Sequence, residues 1–165
     1  MHSRIFQIDE KPIPSEKLIG NEDIPEYFYT NGNADYWDTI LSPEQIPEEK
    51  EWLAGFLGTK LEEDGTLLLT KEVILKKLHA DYLVFMKDIE KLQKLSFEDF
   101  QQTLCLDLYD ANTVFDDKFG FYVFHTEDEE METVDSFLRW TLSDLIVKKQ
   151  EAKKIYLGSV IDYHF

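Results

Sequence analysis

The sequence predicts an α+β domain, in which a mainly antiparallel sheet of four or five strands packs against a long central helix and a second helix near the C-terminus. Three observations predict it. Residues 70–95 carry Leu75, Leu78, Tyr82, Phe85, Ile89 and Leu92 at alternating spacings of three and four, with Ile74, Met86 and Leu95 along the margins of that stripe. Residues 119–125, FGFYVFH, are apolar on both faces, as a strand covered from two sides must be. Residues 154–163 follow a two-residue period, which puts Ile155, Leu157, Ile161 and Tyr163 on one face of an unbroken strand and Tyr156, Val160 and His164 on the other.

The composition fits one domain over residues 1–165. Hydrophobic residues make up 43% and aromatics 14%, enough apolar surface to order most of a chain this long. The net charge of −17, from 34 acidic and 17 basic side chains, repels nucleic-acid phosphates and anionic lipid, so direct nucleic-acid binding is disfavoured. The same field attracts basic protein surfaces, and it also serves simple solubility. Cys105 stands alone, so it has no intramolecular disulfide partner; Leu104 and Leu106 beside it suggest a small buried hydrophobe. No apolar run reaches 18 residues, and MHSRIFQIDE has no apolar signal core. The expectation is no membrane insertion and a cytoplasmic location.

Taken in order, residues 3–8 read as a first strand, ended by Pro12 and Pro14. Residues 9–46 are irregular and rich in proline and aromatics. The Asp23-Ile24-Pro25-Glu26 spacing predicts a capped turn of helix over 24–29. Asn33 is a candidate cap for a second turn carrying Tyr36, Trp37, Ile40 and Leu41. The next helix is expected to start afresh at Pro47, which lacks the N–H to continue one begun at Ser42, and to end at Leu57 before Gly58. Its apolar side is Trp52, Leu53, Phe56 and Leu57. Residues 59–62 and 66–69 form a hairpin about Asp64-Gly65. Thr70 caps the long helix. Ser96 starts a helix with Phe97, Phe100 and Leu104 inward, and residues 107–118 suggest another. Six of the nine residues in 127–135 are acidic, which suits the start of a helix over 131–147, where unpaired N–H groups are partly positive. On that helix Val134, Leu138, Thr141 and Leu145 form the inner stripe, flanked by Phe137 and Leu142. Trp140 points away from it, to be covered by the N-terminal segment or left exposed beside Arg139. Gly158 marks a bulge or a close contact in the last strand. If the strands at 119–125 and 154–163 are parallel neighbours, their crossover is right-handed; a strand between them would allow antiparallel pairing with it.

No phosphate-cradling glycine loop, nucleophile elbow, zinc-binding His-Glu-x-x-His or Cys-x-x-Cys is present, and no metal or cofactor is expected. The leading reading is a non-catalytic binding module of inhibitor, immunity or adaptor type. It would engage a basic protein through Glu127, Asp128, Glu129 and Glu130, with Arg139 and Trp140 as anchors and carboxylates standing in for phosphates if the partner binds nucleic acid. The alternative is an enzyme or small-ligand protein with a pocket between the sheet and the proline-rich segment. Tyr27, Tyr29, Tyr36 and Trp37 would line it, and His125 or His164 would act as acid–base. Separately, if their strands pair, His125 and His164 could converge with Glu127 or Asp162 on a metal or acid–base site. An oligomeric structural protein is the third possibility.

Overall fold

The computed structural model describes residues 2–34, 36–37, 41–42, 44–103 and 120–165. Among these, six strands form one mixed sheet: β1 (His2–Asp9), β2 (Tyr36–Trp37), β3 (Thr66–Thr70), β4 (Tyr122–His125), β5 (Glu130–Thr133) and β6 (Ala152–His164). Five α-helices accompany it: α1 (Glu26–Thr30), α2 (Gln45–Leu57), α3 (Lys71–Gln93), α4 (Phe97–Thr103) and α5 (Val134–Val147). The class is α+β. Strand order is β2-β6-β1-β4-β5, and β3 shares the outer edge of β6 with β2. Only β1 and β4 pair in parallel; the other pairings are antiparallel. Strand β1 therefore lies between β4 and β6, so those two strands are not neighbours.

The sheet is covered on both faces, which explains why its central strands have no polar side. On one face Phe6, Ile8, Val123, Ile155 and Val160 meet Leu53, Ala54 and Leu57 of α2, Ile74 of α3, and Val134, Phe137, Leu138 and Leu145 of α5. On the other, Ile5, Tyr122, Phe124, Ile161 and Tyr163 meet Ile24, Phe28 and Ala34 of the proline-rich segment. The inner stripe expected for α5 is the one buried.

The last strand is not one unbroken alternation. Phe6 stands opposite Val160 and Ile8 opposite Leu157, so one residue of β1 faces two of β6, a bulge at Gly158 and Ser159. The extra residue shifts the pleat, so Ile155 and Val160 point to one face while Ile161 and Tyr163 point to the other. Gly158 also provides the close contact. A Cβ there would lie 2.3 Å from Oε1 of Gln7. Gln7 is fully buried, and its amide group is saturated. Its Nε2 donates to Lys17 O (2.7 Å) and Thr126 Oγ1 (3.1 Å), and its Oε1 accepts from Ile19 N (3.2 Å) and Ser159 N (3.0 Å). One side chain thus ties β1 to the proline-rich segment, the turn after β4 and the bulge of β6.

Several local expectations are corrected. Residues 130–133 are a strand, so α5 begins at Val134, where Thr133 Oγ1 accepts from Ser136 N. A strand partner overrode the acidic helix-start pattern, because β4 offers a ladder that a helix there would leave empty. The strand at 59–62 is reduced to a single bridge between Leu61 and Leu67. Helix α2 starts at Gln45, not Pro47, because the first four N–H groups of a helix have no partner inside it and a proline there removes nothing. Asp23 accepts from Gly20 N (2.7 Å) and so closes the turn before α1. Phe97 and Phe100 are exposed on α4, although Ser96 caps that helix as expected by accepting from Asp99 N. The expected helix at 107–118, Leu104, Ile40 and the burial of Cys105 lie outside the described residues.

Helix α3 spans 23 residues, yet Ile74 is its only fully buried side chain. It packs on α5, and Ile74 and Leu78 of its first turns belong to the core cluster. Leu75 and Tyr82, both in the predicted inner stripe, are exposed. The cap is as expected: Thr70 Oγ1 accepts from Val73 N at 3.1 Å. Thr70→Ala should cost about 1 kcal/mol, the usual value of a lost N-cap, read from urea unfolding; no loss would mean that water replaces the hydroxyl.

At the tip before β3, Gly65 takes φ +75° and Asp64 holds the turn. Its carboxylate meets Lys154 Nζ at 2.6 Å and also accepts from Thr66. The Lys154 and Thr66 hydrogen bonds hold the Asp64 pKa down at about 2. The folded value lies below the unfolded one, so this contribution to stability is complete above about pH 4 and fades as pH falls through about 2. Asp64→Asn should accordingly flatten the acid limb of the stability profile in that window. An unchanged acid limb would exclude this carboxylate as its source.

Candidate functional site

The acidic run 127–130 forms the tip of the β4–β5 hairpin. Thr126 anchors it, donating to Ile8 O through both N and Oγ1 at 3.0 Å, and Glu129 N closes it on His125 O at 2.9 Å. Glu129 takes φ +54°, the left-handed conformation that reverses the chain. Beyond the turn, the two-residue strand period separates the acids. Asp128, Glu130 and Glu132 turn towards α5, where with His125, Met131, Ser136 and Trp140 they line an open groove of about 420 Å³. Glu127 and Glu129 turn to the opposite side, beside Glu16, Glu22 and Asp23 of the proline-rich segment. Glu127 pairs there with Lys11 at 3.2 Å.

Trp140 stands on the α5 wall of the groove and is 69% exposed, so the N-terminal segment does not cover it. Arg139, one position earlier, is exposed outside the groove lining. Val147, seven residues beyond Trp140 along the same side of α5, is exposed too. On the groove floor His125 Nε2 meets Glu132 Oε1 at 2.8 Å, and the His125 ring sits edge-on to Phe137. Glu132 thereby orients an imidazole. Ser136 lines the same groove, yet among the described residues no hydrogen bond joins its hydroxyl to His125. A serine–histidine–carboxylate relay is therefore not assembled. The same residues hold no group of three or more ligands arranged for a metal ion.

His125 and His164 do not converge. His125 pairs with Ile8 of β1, and His164 with His2. Six residues of strand separate them, about 20 Å at 3.3 Å per residue. Both histidines also lie on the helix-covered face, away from the proline-rich segment: His125 packs on Phe137, and His164 follows Tyr163, which faces the other way. His164 instead meets His2 edge-on, and His2 Nδ1 lies 3.2 Å from Asp162. Phe28 fills part of the sheet face under the proline-rich segment, while an open cavity of about 580 Å³ lies between residues 16–23 and Phe124, Thr126, Glu127 and Glu129. Phe28 is fully buried there, with edge contacts to Tyr122 and Tyr163. Tyr27 is exposed, and Tyr29 is half-buried, its pKa pushed up to about 12 by loss of water around the phenol. Tyr36 and Trp37 pair as backbone with His164 and Tyr163 at the edge of β6.

No protein-family model, curated protein or solved structure matches this chain. The geometry alone carries the functional argument. Of the expected partner-binding residues, Asp128, Glu130 and Trp140 share one groove; Glu127 and Glu129 face the opposite side of the hairpin, and Arg139 is outside the groove lining. Glu132, Met131 and Ser136 are additional members. The signal for Glu132 was its spacing of two from Glu130, which aligns side chains only on a strand. No helix among the described residues is long and apolar enough to cross a membrane.

Proposed function

We propose that the protein is a non-catalytic binding module that engages a basic protein surface through the β4–β5 hairpin and Trp140. One observation carries the reading: a large aromatic ring, 69% exposed, forms the wall of a groove whose other side is Asp128, Glu130 and Glu132. A lysine or arginine of the partner can place its stem and charge over the indole face while its head group meets the carboxylates. Cation–π contact contributes about 0.5–2 kcal/mol, depending on how far water is excluded. The chain's net charge of −17 steers such a partner and speeds encounter. Where that partner also binds nucleic acid, the carboxylates occupy the role of phosphates.

The deciding experiment is affinity capture from lysate at low and at high salt, with the natural chain and the Trp140→Ala variant run side by side. The reading expects a stoichiometric basic protein that salt releases and that the variant retains poorly. Equal retention by both proteins would refute it.

A further inference from the structure

Helix α3 is the place where this acidic chain is locally balanced. Residues 71–93 contain five lysines and four acids, in a chain with 34 acids and 17 bases. Past its first turns the helix turns an uncovered side outwards, with Leu83 54% exposed near its middle and Tyr82 and Val84 exposed beside it. Glu72, Lys76, His79, Lys87, Glu90 and Lys94 all lie within about 40° of Leu83 around the helix axis, at about 100° per residue. All six are exposed.

The order of these charges is the informative feature. Seven residues before Leu83 stands Lys76, and seven after it Glu90; eleven before stands Glu72, and eleven after it Lys94. Two of the three equidistant pairs among these six carry opposite charges, and the third sets His79 against Lys87. Rotating the helix by half a turn about an axis through Leu83 lays Lys76 against Glu90 of the copy and Glu72 against Lys94, each pair formed twice. Both pairs share one register, with Leu83 meeting itself and Ala80 meeting Met86. Among the described residues none of the four takes part in an ion pair within its own chain. A parallel pairing would instead set every charge against its own copy.

We infer that a second copy of this chain docks on the outward face of α3, antiparallel, about a two-fold axis at Leu83. The interface is isologous, so each contact occurs twice and the assembly closes at two chains. None of its residues lines the hairpin groove, so neutralising the hairpin acids leaves it intact.

Sedimentation velocity over a concentration series tests it. The natural chain should move from 19.5 kDa towards twice that mass as concentration rises. Lys76→Glu places like charges in contact twice and should abolish the shift. Adding Glu90→Lys to it should restore the dimer, a rescue that an unrelated partner or another face would not give. A second measurement uses disulfide cross-linking in a Cys105→Ser background. Leu83→Cys should cross-link to itself, whereas Leu75→Cys, whose copy lies about 24 Å away across the two-fold axis at 1.5 Å per residue, should not. A monomer throughout the series, a dimer indifferent to Lys76→Glu, or self-cross-linking at position 75 would each overturn the inference.

Discussion

Replacing Gln7 with leucine should lower stability by about 3–5 kcal/mol, the largest effect expected of any single change considered for this fold. The side chain is fully buried and makes four hydrogen bonds. Leucine keeps most of the volume but strands Lys17 O, Ile19 N and Ser159 N without their protein partner. Each buried polar group left unsatisfied costs about 1–3 kcal/mol, less whatever water recovers. Urea unfolding reads the loss directly, and a change below about 1 kcal/mol would show that the amide is dispensable. Gly158→Ala tests the same node from the other strand. Its Cβ would fall 2.3 Å from Gln7 Oε1, so the alanine must push the amide off its partners. The two substitutions should be strongly non-additive. Once Gln7 is shortened to alanine the obstruction is gone, and Gly158→Ala should add little.

The second large effect concerns binding. Changing Glu127, Asp128, Glu129 and Glu130 together to their amides should weaken partner affinity by about tenfold to a hundredfold at low salt and flatten its salt dependence. The groove geometry refines this: Asp128→Asn with Glu130→Gln should account for most of the loss, since those two acids flank Trp140, while Glu127→Gln with Glu129→Gln should act mainly on the association rate. Trp140→Ala should raise the dissociation rate, because a buried aromatic anchor acts after encounter. Surface plasmon resonance against the captured partner separates the two rates. If all four acids can be neutralised with no change in affinity or salt slope, the hairpin is not the binding element. These residues are at the surface, so the melting temperature of each variant should stay near that of the natural chain.

The two histidines offered by the sequence as acid–base candidates separate on one piece of register. His125 and His164 looked equally close to strand ends, but their partners on β1, Ile8 and His2, stand at opposite ends of that strand. An acid–base pair built from both would require the sheet to be paired differently. The face under the proline-rich segment, where a pocket was expected, holds Phe28 packed against Tyr122 and Tyr163. The aromatics of that segment supply a second core, the structural role for which their density also suits them.

Local chemistry determined a good deal by itself. Thr70 accepts the hydrogen bond expected of a cap, Gly58 takes the left-handed turn after α2, Ser96 begins α4, and Val134, Leu138, Thr141 and Leu145 form the inner stripe of α5. Each depends on residues within a few positions of one another, where periodicity and unpaired backbone groups leave one favourable arrangement. The two apolar faces of β4 likewise announced a strand covered on both sides. The tertiary structure alone decided what depends on distant partners. It turned residues 130–133 into a strand because β4 lay alongside, and it exchanged the faces of β6 at Gly158 because Gln7 occupies the space a side chain would need. It left one side of α3 exposed, with Leu75, Tyr82, Leu83 and Val84 outward, while Ile74 and Leu78 joined the core. Trp140 and the acids acquired a common groove for the same reason: a hairpin and a helix separated by a few residues of chain are brought face to face by the sheet they share.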